Sequence, residues 1–357
     1  MDSTPKIGIL GGYGAVGSAV VRRLLRAGIG PLLVGGRDPS RAAAVLGTDV
    51  STAAVDLWGP TLDSFVSRCR LVVNCAGPSY RVLDTVARAA LRHDVDYVDA
   101  AGDDPVHARL TAEGGGGSAA WRSAGRTAVL SAGALPGLSG LLPRALLDPA
   151  VVPAHLDGYV GGVAALTPAA AGDVLLARGP EHGIPSAAWE DGRLRDRALQ
   201  PRRDLRLRAF PQPVTAFPYL PTETARLAEA ADIRQVHWYS VFGGERLAEE
   251  LAMAWAMGTE DTADLVRAAD EDVRRHGSWY GQEFRVWHDT HDGPPARTLT
   301  LRAEDSYELS GFLAATVAQH VLSGAARPGV HFAADVLDAR ATVKTLAADA
   351  VAEVEIT

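Results

Sequence analysis

The chain has 357 residues, of which 47% are hydrophobic and 22% are charged, a composition typical of a globular protein with two or three domains. The formal net charge of −8 at pH 7 gives no reason to expect a nucleic-acid partner. No apolar run is long enough to span a membrane and the first residues lack a secretory signal pattern, so we expect a cytoplasmic protein with no membrane partner.

The first predicted element is a strand over residues 7–10, which leads through a glycine-rich turn into an amphipathic helix. The turn has the spacing G-x-G-x-x-G, typical of sites that bind the pyrophosphate of a dinucleotide. Gly12 then permits the tight turn, Gly14 lets the backbone approach the pyrophosphate, and Gly17 lets the helix pack on the strand. The cofactor-binding residues predicted here are Gly12, Tyr13, Gly14, Ala15, Val16 and Gly17. The alternative is that the glycines only form a turn.

A second buried strand, 32–35, ends beside Arg37, twenty residues after the last glycine of the turn. In NAD-binding sites an acidic residue near this place binds the ribose 2′-hydroxyl, whereas an arginine can bind the 2′-phosphate of NADP. Arg37 therefore predicts NADP(H) as the cofactor, with Ser40 and Arg41 as further phosphate ligands. Two alternatives stay open: Arg37 is a surface arginine, or the neighbouring Asp38 binds the ribose.

Strand and helix patterns then alternate as far as residue 150, with helices predicted over Tyr80–Arg92 and Leu138–Leu147. An apolar strand that begins at Arg70 ends in Cys75, Ala76, Gly77 and Pro78. We expect this end beside the nicotinamide or its ribose, although Cys75 also fits a small buried residue. The alternation predicts an α/β fold with a doubly wound parallel sheet, in a nucleotide-binding domain of residues 1–150.

The pattern changes after residue 150. Residues 151–305 are predicted as a second α/β domain, a mixed sheet with helices, that binds the substrate and forms a homodimer. This domain includes a hairpin with strands over Gln282–His291 and Ala296–Ala303. We expect the last segment, 306–357, to return to the first domain.

Few residues are available for metal or lysine chemistry. The chain has two cysteines, too few for a zinc cluster, and His288 and His291 lie on opposite faces of a predicted strand, which makes them a poor metal pair. We therefore expect no metal. The lysines are Lys6 and Lys344, and neither lies where a Schiff-base or general-base lysine is expected.

Three stretches of the chain carry a longer pattern: GGYGAVGSAVVRRL near the start, VVNCAGPSYRVLDTVARAALRHDVDYVDAAGD at 72–103, and SAGALPGLSGLL at 131–142. In them the chain resembles the saccharopine dehydrogenase-like reductase family. The resemblance implies an NAD(P)-dependent oxidoreductase with a Rossmann domain and an inserted α/β domain, acting on a C–N or C=N bond. Members of the family that form lysine use a Lys/His pair as acid and base. This chain cannot use such a pair, because it has no lysine between Lys6 and Lys344.

Reduction of an imine needs a proton for the nitrogen, or an iminium that is already charged. Groups that follow the strands of the nucleotide-binding domain are best placed for this step. Asp103 is the first candidate, as a carboxylate that attracts an iminium or donates a proton through water; the alternative is a helix-capping Asp ahead of Pro105. Tyr80 either supplies a hydroxyl or packs as an aromatic ring. His182, in a loop of the second domain, is a candidate proton donor.

The leading hypothesis is an NADPH-dependent reductase of a small imine, derived from an amino acid or from a biosynthetic intermediate. The first alternative is a trans-acting enoyl reductase that acts on a C=C bond of a substrate bound to a carrier protein, since relatives in the family do so. The second alternative is a non-catalytic sensor or scaffold that binds NADP(H).

Overall fold

The computed structural model describes residues 5–47, 50–112, 117–177, 179–289, 291 and 293–357. The chain divides into two compact units. The first comprises Met1–Leu138 and Tyr307–Leu337, and the second comprises Ser139–Ser306 and Asp338–Thr357. Each unit is therefore built from two separate stretches of the chain.

The strands are β1 (Lys6–Leu10), β2 (Leu32–Gly36), β3 (Ser51–Ala54), β4 (Cys69–Asn74), β5 (Asp96–Asp99), β6 (Thr127–Leu130), β7 (His155–Val163), β8 (Gly183–Pro185), β9 (Ala188–Glu190), β10 (Arg193–Arg195), β11 (Arg202–Leu205), β12 (Val214–Pro221), β13 (Gln235–Phe242), β14 (Trp279–Trp287), β15 (Arg297–Ala303), β16 (Gly329–Phe332) and β17 (Glu353–Ile356). The helices are α1 (Ala15–Arg26), α2 (Ser40–Leu46), α3 (Thr61–Val66), α4 (Ser79–Val82), α5 (Thr85–Arg92), α6 (Asp104–Thr111), α7 (Gly117–Ser123), α8 (Leu138–Leu141), α9 (Pro168–Leu176), α10 (Thr222–Ala230), α11 (Arg246–Met257), α12 (Ala263–His276), α13 (Ser306–Leu322), α14 (Ala333–Val336) and α15 (Ala339–Asp349). A 3-10 helix, Leu142–Leu146, follows α8. Among the described residues, no helix combines the length and the apolar character needed to cross a membrane.

The first unit contains a parallel sheet, which within the described residues has the order β16-β6-β5-β4-β1-β2-β3. Its central strands are apolar and fully buried, as Ile7, Leu33 and Val72 show, which is typical of a parallel sheet covered by helices. The predicted doubly wound parallel sheet is confirmed. The strand order reverses between β1 and β4, and ligands of such sheets bind at that point, at the carboxyl ends of the strands.

The stretch 307–337 completes the first unit. Helix α13 packs on α1 so closely that a Cβ at Gly311 would lie 2.3 Å from the Cβ of Ala19. Glu308 forms ion pairs with Arg22 and Arg23 of α1, at 2.5 and 3.4 Å. Beyond α13, β16 pairs with β6 at the edge of the sheet.

The second unit contains a mixed sheet. Within the described residues its order is β10-β9-β13-β7-β14-β15-β17, with β12 pairing with β13, β11 and β8. The central strand β7 is parallel to β13 and antiparallel to β14. One face buries a cluster rich in aromatic rings, among them Tyr159, Phe210 and Trp279. The predicted second domain with a mixed sheet and helices is therefore confirmed.

Two predicted helices differ from the structure. The helix predicted over Tyr80–Arg92 is interrupted at Leu83, whose φ of 48° is incompatible with a right-handed helix, and forms α4 and α5 instead. The helix predicted over Leu138–Leu147 is one turn of α-helix followed by the 3-10 helix. Pro143 at the start of that 3-10 helix lacks the N–H that would continue an α-helical ladder.

Two predictions about the last third of the chain are also wrong. β14 ends at Trp287, so His288 and His291 do not lie on a strand, and the argument that placed them on opposite faces does not apply. The segment 306–357 does not return as a whole to the first unit, because β17 pairs with β15 in the second sheet. The apolar pattern of the tail contains no signal for which unit it joins.

The close approach of α1 and α13 can be tested with paired substitutions. Gly311→Ala places a methyl group 2.3 Å from the Cβ of Ala19, so we expect the free energy of unfolding to fall by about 2 kcal/mol. Ala19→Gly in the same chain removes the opposing methyl group and should recover part of that loss. Urea unfolding of the single and double variants measures the coupling, and strictly additive losses would contradict this contact.

Candidate functional site

The glycines of the turn after β1 leave no room for a side chain at their positions. Gly11 has a φ of 70°, a left-handed conformation that favours glycine. A Cβ at Gly17 would lie 2.3 Å from the carbonyl oxygen of Gly11, and a Cβ at Gly12 would lie 2.9 Å from Cγ1 of Val34. Gly11, which the predicted motif does not include, is therefore the residue that makes the left-handed turn, while Gly12 and Gly17 permit close packing.

Helix α1 begins in this turn without a side-chain cap. Its N-cap residue, Gly14, is extended, and no side chain caps the helix. The amides that begin a helix have no partner within it and attract anions, and the first turn of α1 carries no acidic residue. A Cβ at Gly14 would lie 3.1 Å from the carbonyl oxygen of Gly11. The turn and the helix start thus offer the space and the donors that a pyrophosphate needs.

The end of β2 is organised by Tyr13. The Tyr13 ring packs on Gly36, where a Cβ would lie 2.3 Å from the hydroxyl oxygen, and the Asp38 amide donates to this hydroxyl at 2.9 Å. The hydroxyl and the amide of Ser40 donate to Oδ1 of Asp38, at 2.6 and 3.1 Å. These bonds hold the pKa of the exposed Asp38 carboxyl below its usual value. Ser40, a predicted phosphate ligand, is thus engaged with Asp38.

Two arginines beside this turn carry the charge that a 2′-phosphate requires. Arg37 is exposed. The guanidinium carbon of Arg41 lies 5.9 Å from the centre of the Tyr13 ring, a cation–π contact that places it near the same strand end. Arg37 and Asp38 both lie exposed at this strand end, and Arg37 as the residue that binds the 2′-phosphate stays a prediction.

The loop after β4 touches the glycine turn. The Cys75 amide donates to the carbonyl oxygen of Leu10 at 2.9 Å, and a Cβ at Gly11 would lie 2.7 Å from the Cys75 carbonyl oxygen. Burial, and secondarily the charge of Asp99, raise the pKa of the Cys75 thiol. The thiol is therefore protonated at neutral pH, which fits a small buried residue and not a nucleophile. After Cys75 the loop continues through Ala76, Gly77 and Pro78 to the start of α4.

A buried polar network holds the loops that follow β4 and β5. Asn74 donates to Oδ2 of Asp99 at 3.2 Å, and its own Oδ1 accepts from the Ala76 amide at 3.2 Å. The Tyr97 hydroxyl also donates to Asp99, whose other oxygen accepts from two amides of the next turn at 2.8 and 3.0 Å. Burial raises the pKa of Asp99 in spite of these bonds. Polar residues that end two apolar strands are the sequence signal for this network.

Asp103 and Tyr80 meet at the edge where β4 and β5 end. The Tyr80 hydroxyl donates to Oδ2 of Asp103 at 2.9 Å. Asp103 is only 6% exposed and occupies the N-cap position of α6, but its side chain makes no capping hydrogen bond. The helix-cap alternative therefore does not describe this side chain. The two loops present a carboxylate and a hydroxyl as one hydrogen-bonded pair.

The loop after β6 borders the same edge of the sheet. Ser131 has a φ of 53°, and its amide and hydroxyl donate to the carbonyl oxygen of Gly102 at 2.7 and 3.1 Å. Further along the loop, the Ala134 amide donates to Oγ of Ser310 on α13, at 3.0 Å. The returning helix α13 thus helps to hold a loop of the candidate site.

His182, the third predicted catalytic residue, belongs to the second unit. Its side chain is 6% exposed, and its Nε2 lies 3.6 Å from Oε1 of Glu181. Its carbonyl oxygen accepts from the Thr222 amide at 3.3 Å, which fixes it beside the start of α10. The structure thus brings Tyr80 and Asp103 together in the first unit and places His182 in the other.

The second unit also contains a buried polar cluster that no pattern in the sequence predicts. Glu223 on α10 is 7% exposed and accepts from the Ser139 hydroxyl, and a Cβ at Gly140 would lie 2.7 Å from its Oε2. Gln282 is fully buried and donates to the Tyr280 hydroxyl at 3.0 Å. Burial raises the pKa of Tyr280. Buried polar side chains are costly unless they are hydrogen-bonded, and these side chains are hydrogen-bonded within the second unit.

Comparison with known proteins identifies the nucleotide-binding part. Residues 7–129 match the family model of the saccharopine dehydrogenase NADP binding domain. No curated protein sequence matches the chain. The fold is similar to that of apo histidine-tagged saccharopine dehydrogenase (L-Glu forming) from Saccharomyces cerevisiae, with a TM-score of 0.66 and 15% identity over 98% of this chain and 99% of that chain. It is also similar to an engineered D-amino acid dehydrogenase bound to NADP⁺, with a TM-score of 0.50 and 15% identity over 93% of each chain.

The family match confirms the resemblance found in the sequence. Residues 7–129 are similar to the NADP binding domain of saccharopine dehydrogenases, and this range includes the predicted cofactor-binding residues together with Tyr80 and Asp103. The match covers the nucleotide-binding part of the chain and indicates NADP(H) as the cofactor of this part. The two solved structures show the same fold over nearly the whole chain.

Removal of the Arg37 guanidinium tests how the cofactor is recognised. For Arg37→Ala we expect NADPH affinity to fall about 10- to 100-fold, because hydrogen bonds to a charged group contribute about 1.5–3 kcal/mol. NADH affinity should not change, and fluorescence titration measures both. Arg26→Ala, which removes the same charge from the exposed far end of α1, is the matched control. Unchanged NADPH affinity in Arg37→Ala would show that Arg37 does not bind the phosphate.

Proposed function

We propose that the protein reduces a C=N bond of a small substrate, an imine or iminium derived from an amino acid or from a biosynthetic intermediate. The observation that carries this proposal is the pair formed by Asp103 and Tyr80, in which a buried carboxylate binds a side-chain hydroxyl and not the backbone of its own helix. This pair lies at the edge of the sheet where ligands of doubly wound folds bind.

The described residues of the first unit fit NADPH. The uncapped start of α1 would hold the pyrophosphate, with Gly14 leaving space for it. Arg37 and Arg41 would hold the 2′-phosphate, and the loop 75–78 would border the nicotinamide end. When bound, NADPH supplies the hydride that converts an iminium carbon into the carbon of a neutral amine.

Asp103 would act on the charge of the substrate nitrogen. A buried carboxylate stabilises a cation nearby, so it favours binding of the iminium form over a neutral C=C compound. An iminium needs no additional proton to become a neutral amine. A neutral imine needs one proton, which Asp103 in its protonated form would donate, while the Tyr80 hydroxyl keeps the carboxyl group oriented.

The same carboxylate argues against the enoyl reductase alternative. Reduction of an enoyl thioester places negative charge on the carbonyl oxygen, which is stabilised by hydrogen-bond donors and not by an anion. A carboxylate next to that oxygen would raise the barrier. The Asp103 side chain therefore supports a C=N substrate over a carrier-bound C=C substrate.

Other features stay predictions from the sequence. They are the homodimer, the cytoplasmic location and the role of His182 as a proton donor. The buried position of His182 beside α10 is compatible with such a role, and its assignment requires a substrate.

The function can be tested by following NADPH oxidation with pairs of 2-oxo acids and amines, which form imines in solution, and with carrier-bound enoyl thioesters. We expect turnover of the imine mixtures. Asp103→Asn should lower kcat by about 10²- to 10⁴-fold, because it removes the charge and the exchangeable proton, and should leave NADPH affinity unchanged. Asp104→Asn makes the same change on the neighbouring residue and should keep normal turnover.

Tyr80→Phe should lower kcat less than Asp103→Asn, since the hydroxyl only orients the carboxyl group in this scheme.

Full activity of Asp103→Asn would overturn the role assigned to Asp103. Turnover of enoyl thioesters alone would overturn C=N reduction, and NADPH binding without any turnover would favour the sensor alternative.

A further inference from the structure

Three histidines and one aspartate form a cluster in the second unit that the proposed reaction does not use. β7 contributes His155 and Asp157, which are two residues apart and so share a face of the sheet. β13 contributes His237, which pairs in register with Asp157. His291 comes from the turn after β14, and its ring centre lies 4.1 Å from that of His155. We call these four residues the histidine–aspartate cluster.

Each histidine directs a ring nitrogen at the carboxylate of Asp157. Nε2 of His155 lies 2.7 Å from Oδ1, Nε2 of His291 lies 3.4 Å from Oδ2, and Nδ1 of His237 lies 3.5 Å from Oδ1. Potential ligand atoms of His155, Asp157 and His291 all lie within 4.8 Å of one another. Nδ1 of His237 is buried and has no hydrogen-bond partner among the described residues. The nitrogens therefore converge on one small volume.

The contacts of His155 determine which of its nitrogens is available. Nδ1 lies 3.2 Å from Oε1 of Gln235, and Nε2 lies 2.7 Å from Oδ1 of Asp157. A hydrogen on Nδ1, donated to Gln235, would leave the lone pair of Nε2 to bind either a proton shared with Asp157 or a metal ion.

The aspartate is buried and firmly oriented. Asp157 is 2% exposed, and a ring nitrogen of each of the three histidines faces its carboxylate. The Tyr159 hydroxyl donates to Oδ2 of Asp157 at 3.3 Å and accepts from Arg202 at 3.0 Å. Outer hydrogen bonds of this kind orient the ligands of metal sites.

We propose that the histidine–aspartate cluster binds a divalent d-block cation, with Zn²⁺ as the ion that fits it best. The ligands are Nε2 of His155, a carboxylate oxygen of Asp157 and Nε2 of His291, which leaves a fourth position for water, while His237 contacts the Asp157 carboxylate. Imidazole nitrogens with one carboxylate suit tetrahedral Zn²⁺, whereas Mg²⁺ and Ca²⁺ prefer oxygen ligands. The ion would tie the turn after β14 to β7 and stabilise the second unit. This proposal replaces the expectation of no metal, which considered His291 only together with His288.

The test uses the full chain without an affinity tag, freed of metal by a chelator and titrated with ZnCl₂ by calorimetry. We expect a single Zn²⁺ to bind per chain with a submicromolar Kd. We also expect Tm to rise with Zn²⁺ concentration, because a ligand that binds only the folded state stabilises it. Both readouts are independent of enzymatic activity.

Two histidine variants of the same turn decide the assignment. His291 is 40% exposed, so His291→Ala should fold normally, bind Zn²⁺ at least about 100-fold more weakly and lose the rise in Tm. His288→Ala removes a histidine outside the cluster and should bind Zn²⁺ like the unchanged protein. The proposal is overturned if His291→Ala binds as tightly as His288→Ala. It is also overturned if the unchanged protein binds no Zn²⁺, in which case a proton lies between His155 and Asp157.

Discussion

The first unit depends on two glycines in the turn after β1, Gly11 and Gly17. A Cβ at Gly17 would lie 2.3 Å from the carbonyl oxygen of Gly11, and a Cβ at Gly11 would lie 2.7 Å from that of Cys75. The first contact sets α1 against β1, and the second sets the end of β1 against the end of β4. The other strands of the sheet pair outward from these two, so the positions of Arg37 and Asp103 follow from the same contacts.

Asp99 and Asp103 follow the same strand but have different roles, which their positions in the sequence do not distinguish. The oxygens of Asp99 accept from Asn74, Tyr97 and two amides of its own turn, so this carboxylate fixes the backbone. Asp103 instead binds the hydroxyl of Tyr80 from a different loop. A carboxylate that binds its own turn is structural, and one that joins two loops at the ligand edge of the sheet is the better candidate for chemistry.

Local signals explain which parts of the structure the sequence predicts. The glycine spacing and the strand–helix alternation predict the first sheet, and the strand predicted over Ala296–Ala303 differs from β15 by one residue. The break at Leu83 depends on a positive φ at a residue that is not glycine, for which the sequence has no signal. The contact between Ser139 and Glu223 joins residues 84 positions apart, and the histidine–aspartate cluster joins two strands and a turn. Such contacts depend on strand pairing that one sequence does not reveal.

The two-part construction of the first unit has a consequence for biosynthesis. Ribosomes make the chain from its amino terminus, so β6 emerges long before its partner β16, and all of residues 139–306 emerge between them. The nucleotide-binding sheet therefore lacks its edge strand, and the loop at Ala134 lacks its bond to Ser310, until residues 307–337 have been made. Nascent chains must keep the edge of β6 from pairing wrongly during that interval. No single continuous fragment of the gene can encode either unit alone.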